Sequence, residues 1–199
     1  MNNAVDAKKL FGIIVSIDLV VLILIITSQK ISFGFNIETL SLVSLLTTVA
    51  WLFWTVFRLW LWKIPLLQGW LVLVPNLNGS WHGKLESTWV DPETNESPNP
   101  IDTTAVIKQT LTMVTVDLDT DGMKSASTVA SVLYDPHRRS STISYVYLSD
   151  PITKKKAKNV IHYGAAKLNI IKKNGTLSLD GRYWTDNKTR GDVHLERIV

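Results

Sequence analysis

The stretch Pro75-Asn76-Leu77-Asn78-Gly79-Ser80-Trp81-His82-Gly83 marks the point at which the character of this 199-residue sequence changes. Before it the chain is dominated by long apolar runs. After it come short runs of alternating apolar and polar residues, separated by turn residues, as in antiparallel sheets. The sequence therefore predicts that residues 1–75 belong to a membrane and that residues 76–199 form an all-β domain. This division disfavours a purely soluble enzyme.

Two apolar stretches lie before the boundary. Leu10 to Thr27 is 18 residues long with Asp18 as its one charge, and Leu40 to Phe57 is 18 residues long with none. Each approaches the ~20 residues that span a bilayer, which predicts two transmembrane helices at about 10–27 and 40–62. The tryptophan-containing segment that follows, up to residue 75, predicts an interfacial connector. Alternatively, it continues the second helix and then enters the β domain.

The distribution of basic residues predicts the orientation in the membrane. Lysine and arginine are retained on the cytoplasmic side, and here they flank the outer ends of the two spans, whereas the intervening loop has Lys30 against Glu38. The flanking residues are Lys8, Lys9, Arg58 and Lys63. We therefore expect a multi-pass protein with both termini in the cytoplasm. The absence of cysteine fits a cytosolic β domain, and a net charge of +4 provides no polybasic surface for duplex DNA or RNA.

Asp18 lies near the middle of the first predicted span. An ionisable side chain at that depth costs at least ~2.5–3.5 kcal/mol on insertion scales, so it marks a candidate for function in assembly or in a wet path. The alternative is a packing role, in which a protonated carboxyl bonds to Ser44, Thr47 or Thr48 of the second span. Both interpretations favour association between helices.

The β domain predicts eight short strands and therefore an up-and-down, lipocalin-like antiparallel barrel. Turn signals separate the runs, and Asp121-Gly122 and Asn174-Gly175 are the strongest. The predicted strands are Trp81–Val90, Thr104–Leu118, Ser125–Tyr134, Ser140–Leu148, Asn159–His162, Ala165–Ile171, Thr176–Thr185 and Val193–Ile198. Gly79-x-Trp81 at the first strand predicts a structural tryptophan at the closed end of the barrel, under an arginine from the last strand, Arg197.

Motifs for catalysis are lacking in the sequence. The four histidines have no ligand spacing for a metal, and no phosphate-binding or nucleophile motif occurs. We therefore expect a protein that is not an enzyme and that holds no metal and no cofactor.

The alternation of side chains along the strands predicts a cavity of mixed character. Three tyrosines, Tyr145, Tyr147 and Tyr183, share faces with apolar residues and are suited to stack bases. Four polar side chains on inward faces are suited to hydrogen-bond base edges: Gln109, Ser125, Ser127 and Thr185. Arg190 is the first candidate for a phosphate, followed by Arg182 and Lys108. The alternative is a filled core in which tyrosines and hydroxyls pair with one another.

The order of these features resembles the two-transmembrane β-barrel effectors of bacterial CBASS anti-phage defence. The resemblance covers essentially the whole chain, and each short motif gains specificity from its order after two helices. Besides the stretch at 75–83, the matching motifs are Ile107-Lys108-Gln109-Thr110, Ser125-Ala126-Ser127, His162-Tyr163-Gly164, Gly181-Arg182-Tyr183-Trp184-Thr185 and Thr189-Arg190-Gly191.

The resemblance implies a cytosolic sensor barrel that binds a cyclic di- or oligonucleotide made by a partner nucleotidyltransferase (CD-NTase). Binding would drive self-association of the helices, disruption of the inner membrane and death of the infected cell. The ligand residues that the resemblance implies are Gln109, Ser125, Ser127, Tyr145, Tyr147, His162, Tyr183, Thr185 and Arg190. Two alternatives from other classes are a membrane-tethered carrier of an apolar ligand and a barrel that docks a protein partner.

Overall fold

The computed structural model describes residues 4–28, 37–90, 95–120, 122–151, 161–173 and 175–198. The chain divides into two compact units, of which one spans Val5–Leu73 and the other runs from Val74 onward. Lys30 and the first residues of the two predicted turns, Asp121 and Asn174, lie outside the described residues.

The first unit contains two helices that are long and apolar enough to cross a membrane. Helix α1 spans Ala7–Ser28 and helix α2 spans Ile37–Leu59. Helix α2 ends earlier than the predicted residue 62, and two 3₁₀ turns follow at Leu61–Lys63 and Pro65–Leu67. Proline has no N–H for an α-helical ladder, so Pro65 cannot continue the helix. The interfacial position of this connector stays a prediction.

The second unit is a closed antiparallel barrel in which each strand pairs with the next and the first pairs with the last. Eight strands form it: β1 Gly79–Ser87, β2 Ile101–Gln109, β3 Val114–Thr120, β4 Met123–Asp135, β5 Ser140–Pro151, β6 His162–Lys173, β7 Thr176–Thr185 and β8 Arg190–Arg197. The predicted fold class, two apolar helices plus an eight-stranded barrel, is confirmed. The period-2 pattern produces it because alternate residues along each strand face the interior.

One predicted strand is wrong. The run Thr104–Leu118 contains a chain reversal between β2 and β3, where the Thr110 N–H donates to the Met113 carbonyl at 2.8 Å. The Thr110 hydroxyl oxygen accepts from the Met113 N–H at 3.0 Å, which stabilises the turn without glycine or proline. As a result Met113 is 70% exposed and does not share the buried face of Ile107.

In a second error, one strand was predicted as two separate strands. His162, the last residue of the segment predicted as Asn159–His162, and the whole segment predicted as Ala165–Ile171 lie in the single strand β6, which begins at His162. Asn159 lies outside the described residues. Gly164 punctuates the sequence there, yet it lies inside the strand and pairs with Tyr147 of β5. The predicted count of eight strands is correct because one run was joined and another divided.

One end of the barrel is filled. Trp81 is fully buried there, and its indole N–H donates to the Leu77 carbonyl at 3.1 Å. Arg197 pairs with Trp81 across β1 and β8, and its guanidinium donates to the carbonyls of Asn78 and Asn76. Five more apolar side chains are almost completely buried in the barrel: Ile107, Ile143, Leu168, Leu179 and Leu195. We call this region the closed end.

Candidate functional site

The other end of the barrel contains a cavity of about 570 Å³. We call this end the mouth; β1, β3, β5 and β7 end there, and β2, β4, β6 and β8 begin there. The cavity volume falls within the ~300–1,000 Å³ that is usual for small-molecule sites. The lining residues are Leu85, Ser87, Trp89, Pro98, Ile101, Leu118, Thr120, Met123, Ser125, Tyr145, Tyr147, Ser149, His162, Tyr183, Thr185, Asn187, Thr189 and Val193.

Three of the residues that line the cavity are tyrosines. The ring centroids of Tyr145 and Tyr147, which face inward from β5, lie 5.8 Å apart with the ring planes at 47°. Tyr183 faces inward from β7. Burial raises the pKa of all three phenols above its ordinary value, and for Tyr183 a hydrogen bond to Ser87 opposes the rise. The cavity therefore presents neutral aromatic rings, which are suited to stack a base or a sugar.

Hydroxyl groups form the polar part of the lining. The hydroxyls of Ser125 and Ser149 hydrogen-bond each other at 2.9 Å, and those of Thr185 and Thr189 do so at 2.6 Å. Each hydroxyl has one donor and two acceptor positions, so the bond between Ser125 and Ser149 leaves capacity for a ligand. The Thr185 hydroxyl oxygen also accepts from the Thr189 N–H at 3.3 Å and lies 3.4 Å from the Thr189 carbonyl oxygen. The pairing predicted for a filled core is therefore present, but it coexists with open space.

The described lining contains His162 as its one titratable group besides the tyrosines. The three predicted phosphate ligands do not line the cavity. Arg190, Arg182 and Lys108 are exposed, because their inward-facing neighbours take the interior positions of β8, β7 and β2. Arg190 follows Thr189 of the lining and so lies at the mouth, whereas Arg182 forms an outer-surface ion pair with Asp192 at 3.5 Å.

Two other predicted ligand residues also lie outside the lining. Gln109 is buried at the closed end, where its Oε1 accepts from the Leu77 N–H at 2.7 Å and its Nε2 donates to the Pro75 carbonyl at 3.3 Å. The Ser127 hydroxyl accepts from the Val116 N–H at 2.9 Å, beside an irregularity in the β4–β5 pairing. Both side chains satisfy backbone groups of the barrel wall.

The structure brings together six predicted residues: Ser125, Tyr145, Tyr147, His162, Tyr183 and Thr185. Sequence analysis missed Ser149, although it continues the alternation from Ile143 through Tyr147, and Ser87, which continues that from Trp81. It also missed Trp89, which continues the same alternation within the predicted strand Trp81–Val90 but lies beyond Ser87, where β1 ends.

Asp18 lies in α1, with its Oδ1 buried and unpartnered among the described residues. The predicted bond to a hydroxyl of α2 is not formed. The hydroxyls of Ser44, Thr47 and Thr48 donate to carbonyls of their own helix at 2.7–3.0 Å. This back-bonding within a helix is an ordinary alternative for serine and threonine.

The structure thus places the chain in the class of small-molecule-binding β-barrels, here on a chain with two helices long and apolar enough to cross a membrane. Within the described residues no cluster of histidine and carboxylate side chains is suited to a metal ion. The family model described as "Cap15, cyclic dinucleotide receptor domain" matches residues 72–197. The chain belongs to this family, which confirms the predicted kinship with CBASS effectors.

One relative is CD-NTase-associated protein 15 from Staphylococcus schleiferi. It is 32% identical to this chain over 92 residues, which cover 46% of this chain and 47% of the relative. The match thus spans about half the length of that protein.

Proposed function

We propose that the barrel binds a cyclic dinucleotide in the cavity at its mouth. The observation that carries this proposal is the lining itself: three neutral tyrosines beside paired hydroxyls, in a domain of the cyclic dinucleotide receptor family. Base stacking on aromatic side chains tolerates every base, whereas hydroxyls select among their edges. The proposed contacts are those of the six lining residues that the sequence also identified.

The test is calorimetric titration of the full-length protein in detergent with cyclic di- and trinucleotides. The corresponding linear dinucleotides serve as controls. Saturable binding of one cyclic species, with weak or no binding of its linear counterpart, supports the proposal. If the folded protein binds none of them, the proposal fails.

A pair of tyrosine variants localises the binding. Tyr183→Ala removes a ring from the cavity, and we expect it to weaken binding by about 5- to 150-fold, the range that ~1–3 kcal/mol of stacking corresponds to. Tyr163→Ala is the matched control, because Tyr163 lies on the outer face of the adjacent strand β6 and is 57% exposed. Equal losses in the two variants would exclude the cavity as the site.

We further propose that ligand binding drives self-association of the helices in the bacterial inner membrane, which disrupts it and kills the infected cell. The proposed ligand source is a partner CD-NTase, and both termini are proposed to be cytoplasmic. Shifting a silent protein from 1:99 to 99:1 in favour of the assembled state needs ~5.5 kcal/mol of differential affinity, or several coupled subunits. Oligomerisation provides such coupling.

Vesicles test this second step. Full-length protein reconstituted into dye-loaded vesicles should release dye only when the cyclic nucleotide is added. Cross-linking should show larger assemblies under the same conditions. Binding without either change would separate recognition from membrane disruption and would overturn the effector proposal.

The two alternative functions make different predictions for the purified protein. A carrier of an apolar ligand should copurify with lipid that mass spectrometry detects, and it should ignore nucleotides. A docking barrel is favoured by a filled interior and an apolar patch on the outer surface, and the cavity of about 570 Å³ does not fit the first of these.

A further inference from the structure

The inward-facing tyrosines of the cavity are paired with the smallest residues of the neighbouring strands. Across β5 and β6, Tyr147 pairs with Gly164 and Tyr145 pairs with Ala166. Across β7 and β8, Tyr183 pairs with Gly191. Directly opposed side chains on one face lie about 4.5–5.5 Å apart at Cβ, so a bulky ring and a small partner share one space.

Gly164 differs from the other inward glycines in what surrounds it. A Cβ atom built at Gly164 would lie 2.3 Å from Cζ and from Oη of Tyr147, and 2.7 Å from its Cε2. At Gly83, Gly181 and Gly191 the nearest atom to such a Cβ is a backbone carbonyl oxygen, and at Gly191 the next nearest is Cε1 of Tyr183, at 2.6 Å. Those three glycines allow strands to approach each other, whereas the space at Gly164 is taken by the ring of Tyr147.

The backbone at Gly164 does not itself require glycine. Its φ lies outside the left-handed region, and the residue sits in regular antiparallel pairing on both sides. An alanine there is therefore compatible with the strand, and the atoms that must move are the far end of one tyrosine. Tyr145, which is 5% exposed, already fills the space toward the closed end. The space open to a displaced phenol is the cavity.

We infer that Gly164 sets the width of the ligand cavity, because its missing side chain leaves room for the ring of Tyr147 to pack against β6. Gly164 thereby determines the size of base that the cavity accepts. The inference rests on the proposed nucleotide-binding function. It makes Gly164 a positioning residue, since it would act on the ligand through Tyr147. A ring displaced from this position would narrow the cavity. The narrower cavity would weaken binding of the larger purine bases more than binding of pyrimidines.

The test is a double-mutant cycle in the full-length protein in detergent, with cyclic di-UMP, cyclic di-AMP and cyclic di-GMP as probes. Gly164→Ala alone should lower the affinity for the two purine-containing probes by about tenfold or more, in line with the effect of one methyl group in a tight pocket. The affinity for cyclic di-UMP should fall by less. In a Tyr147→Ala background the same Gly164→Ala change should alter each affinity by less than about twofold, since independent sites are additive and coupled ones are not. Equal losses in both backgrounds, or no loss in either, would overturn the inference.

A second readout does not depend on nucleotide binding. The chain has five tyrosines, so 3-fluorotyrosine labelling gives five ¹⁹F resonances, and Tyr147→Phe identifies the one from Tyr147. Gly164→Ala should shift that resonance, while the resonance of outward-facing Tyr163 stays in place. If wild-type protein binds no probe but the resonance moves, the proposed function fails and the seating of the ring stands. If wild type binds and the resonance does not move, the inference alone fails.

Discussion

Among single residues, Arg190 and Arg182 are two exposed arginines that differ in their position relative to the cavity. Arg190 follows a lining threonine at the mouth, whereas Arg182 lies farther along the barrel wall and pairs with Asp192. We predict that Arg190→Ala weakens cyclic nucleotide binding, because a cation at the mouth attracts phosphate, and that Arg182→Ala does not. Titration at two salt concentrations tests this. Equal affinity of wild type and Arg190→Ala would discard Arg190 as a phosphate contact.

Gln109 provides a prediction about stability in place of the predicted ligand contact. Gln109→Leu leaves the buried Leu77 N–H and the Pro75 carbonyl without their partner. Unsatisfied buried groups cost about 1–3 kcal/mol each. We therefore expect a clearly lower melting temperature in detergent with unchanged ligand affinity. Lys108→Ala, at the exposed neighbouring position, should change neither, and a loss of ligand affinity in Gln109→Leu would restore the predicted role.

Side-chain alternation identified five residues of the candidate site, and the family resemblance added His162, but alternation failed at particular positions. It placed Tyr147 and Tyr183 correctly because one face of each strand is inside. It could not say which end of the barrel is open, so Gln109, on the correct face but at the closed end, was grouped with the cavity residues. The role proposed for exposed Arg190 rests on its charge and not on alternation. Trp89 follows the alternation of the predicted strand Trp81–Val90, but β1 ends at Ser87.

At the scale of elements, the fold class followed from the sequence because both signals are strong. Apolar length predicts the helices, and alternation predicts the strands. The errors occurred where the presence or absence of glycine did not correspond to a turn. The β2–β3 turn has no glycine and is stabilised by the Thr110 side chain. Gly164, in contrast, was interpreted as a turn residue but lies within β6, where the ring of Tyr147 fills the space that a side chain at position 164 would need.

Strands β7 and β8 carry a pH-sensitive cluster on their outer face. His194 contacts Asp180 and lies 3.5 Å from Glu196, while Asp180 also accepts from the Ser178 hydroxyl at 3.0 Å. The hydrogen bond to Asp180 raises the pKa of His194 above 6.5. The stabilisation of the barrel by protonated His194 is therefore fully present below the pKa of about 6.5 that this side chain has in the unfolded chain. It is lost as pH rises through the higher pKa of His194 in the folded protein.

The prediction is that the barrel gains stability on going from pH 8 to pH 6, and that His194→Gln removes this part of the gain. Because His194 is half exposed, solvent limits the effect to at most about 1 kcal/mol. His82→Gln, an exposed histidine on β1, is the control. Melting temperatures across this pH range measure the difference, and parallel curves for wild type and His194→Gln would refute it.

Helix α1 carries a buried carboxyl oxygen without a partner, at Asp18. We predict that Asp18→Leu alters toxicity in expressing cells while leaving nucleotide binding intact, because the proposed role of the carboxyl lies in helix association. Ser16→Ala is the control, since the Ser16 hydroxyl bonds to the Gly12 carbonyl of its own helix at 2.8 Å. Unchanged toxicity of Asp18→Leu at equal expression would remove Asp18 from the mechanism.

On the scale of the whole molecule, the proposed effector joins two parts with separate requirements. The barrel must bind ligand, and the helices must assemble. Variants in the two parts should therefore be separable: Tyr183→Ala should lower the ligand sensitivity of vesicle leakage without changing its maximum, whereas Asp18→Leu should change the maximum. Titrating ligand into dye-loaded vesicles distinguishes the two effects, and one shared effect for both variants would contradict the division of labour.

Closure of the barrel depends on a contact that joins distant parts of the chain. Arg197 of β8 bonds to the carbonyl of Asn78, 119 residues earlier. A ribosome adds roughly 5–20 residues per second, so several seconds pass between the synthesis of β1 and the synthesis of its partner β8. Pairing across such a separation is slow in itself, because the entropy of closing the loop is lost before the contact forms. Until β8 is synthesised the wall of the cavity is incomplete, so a nascent chain whose two apolar helices are already complete still lacks the cavity.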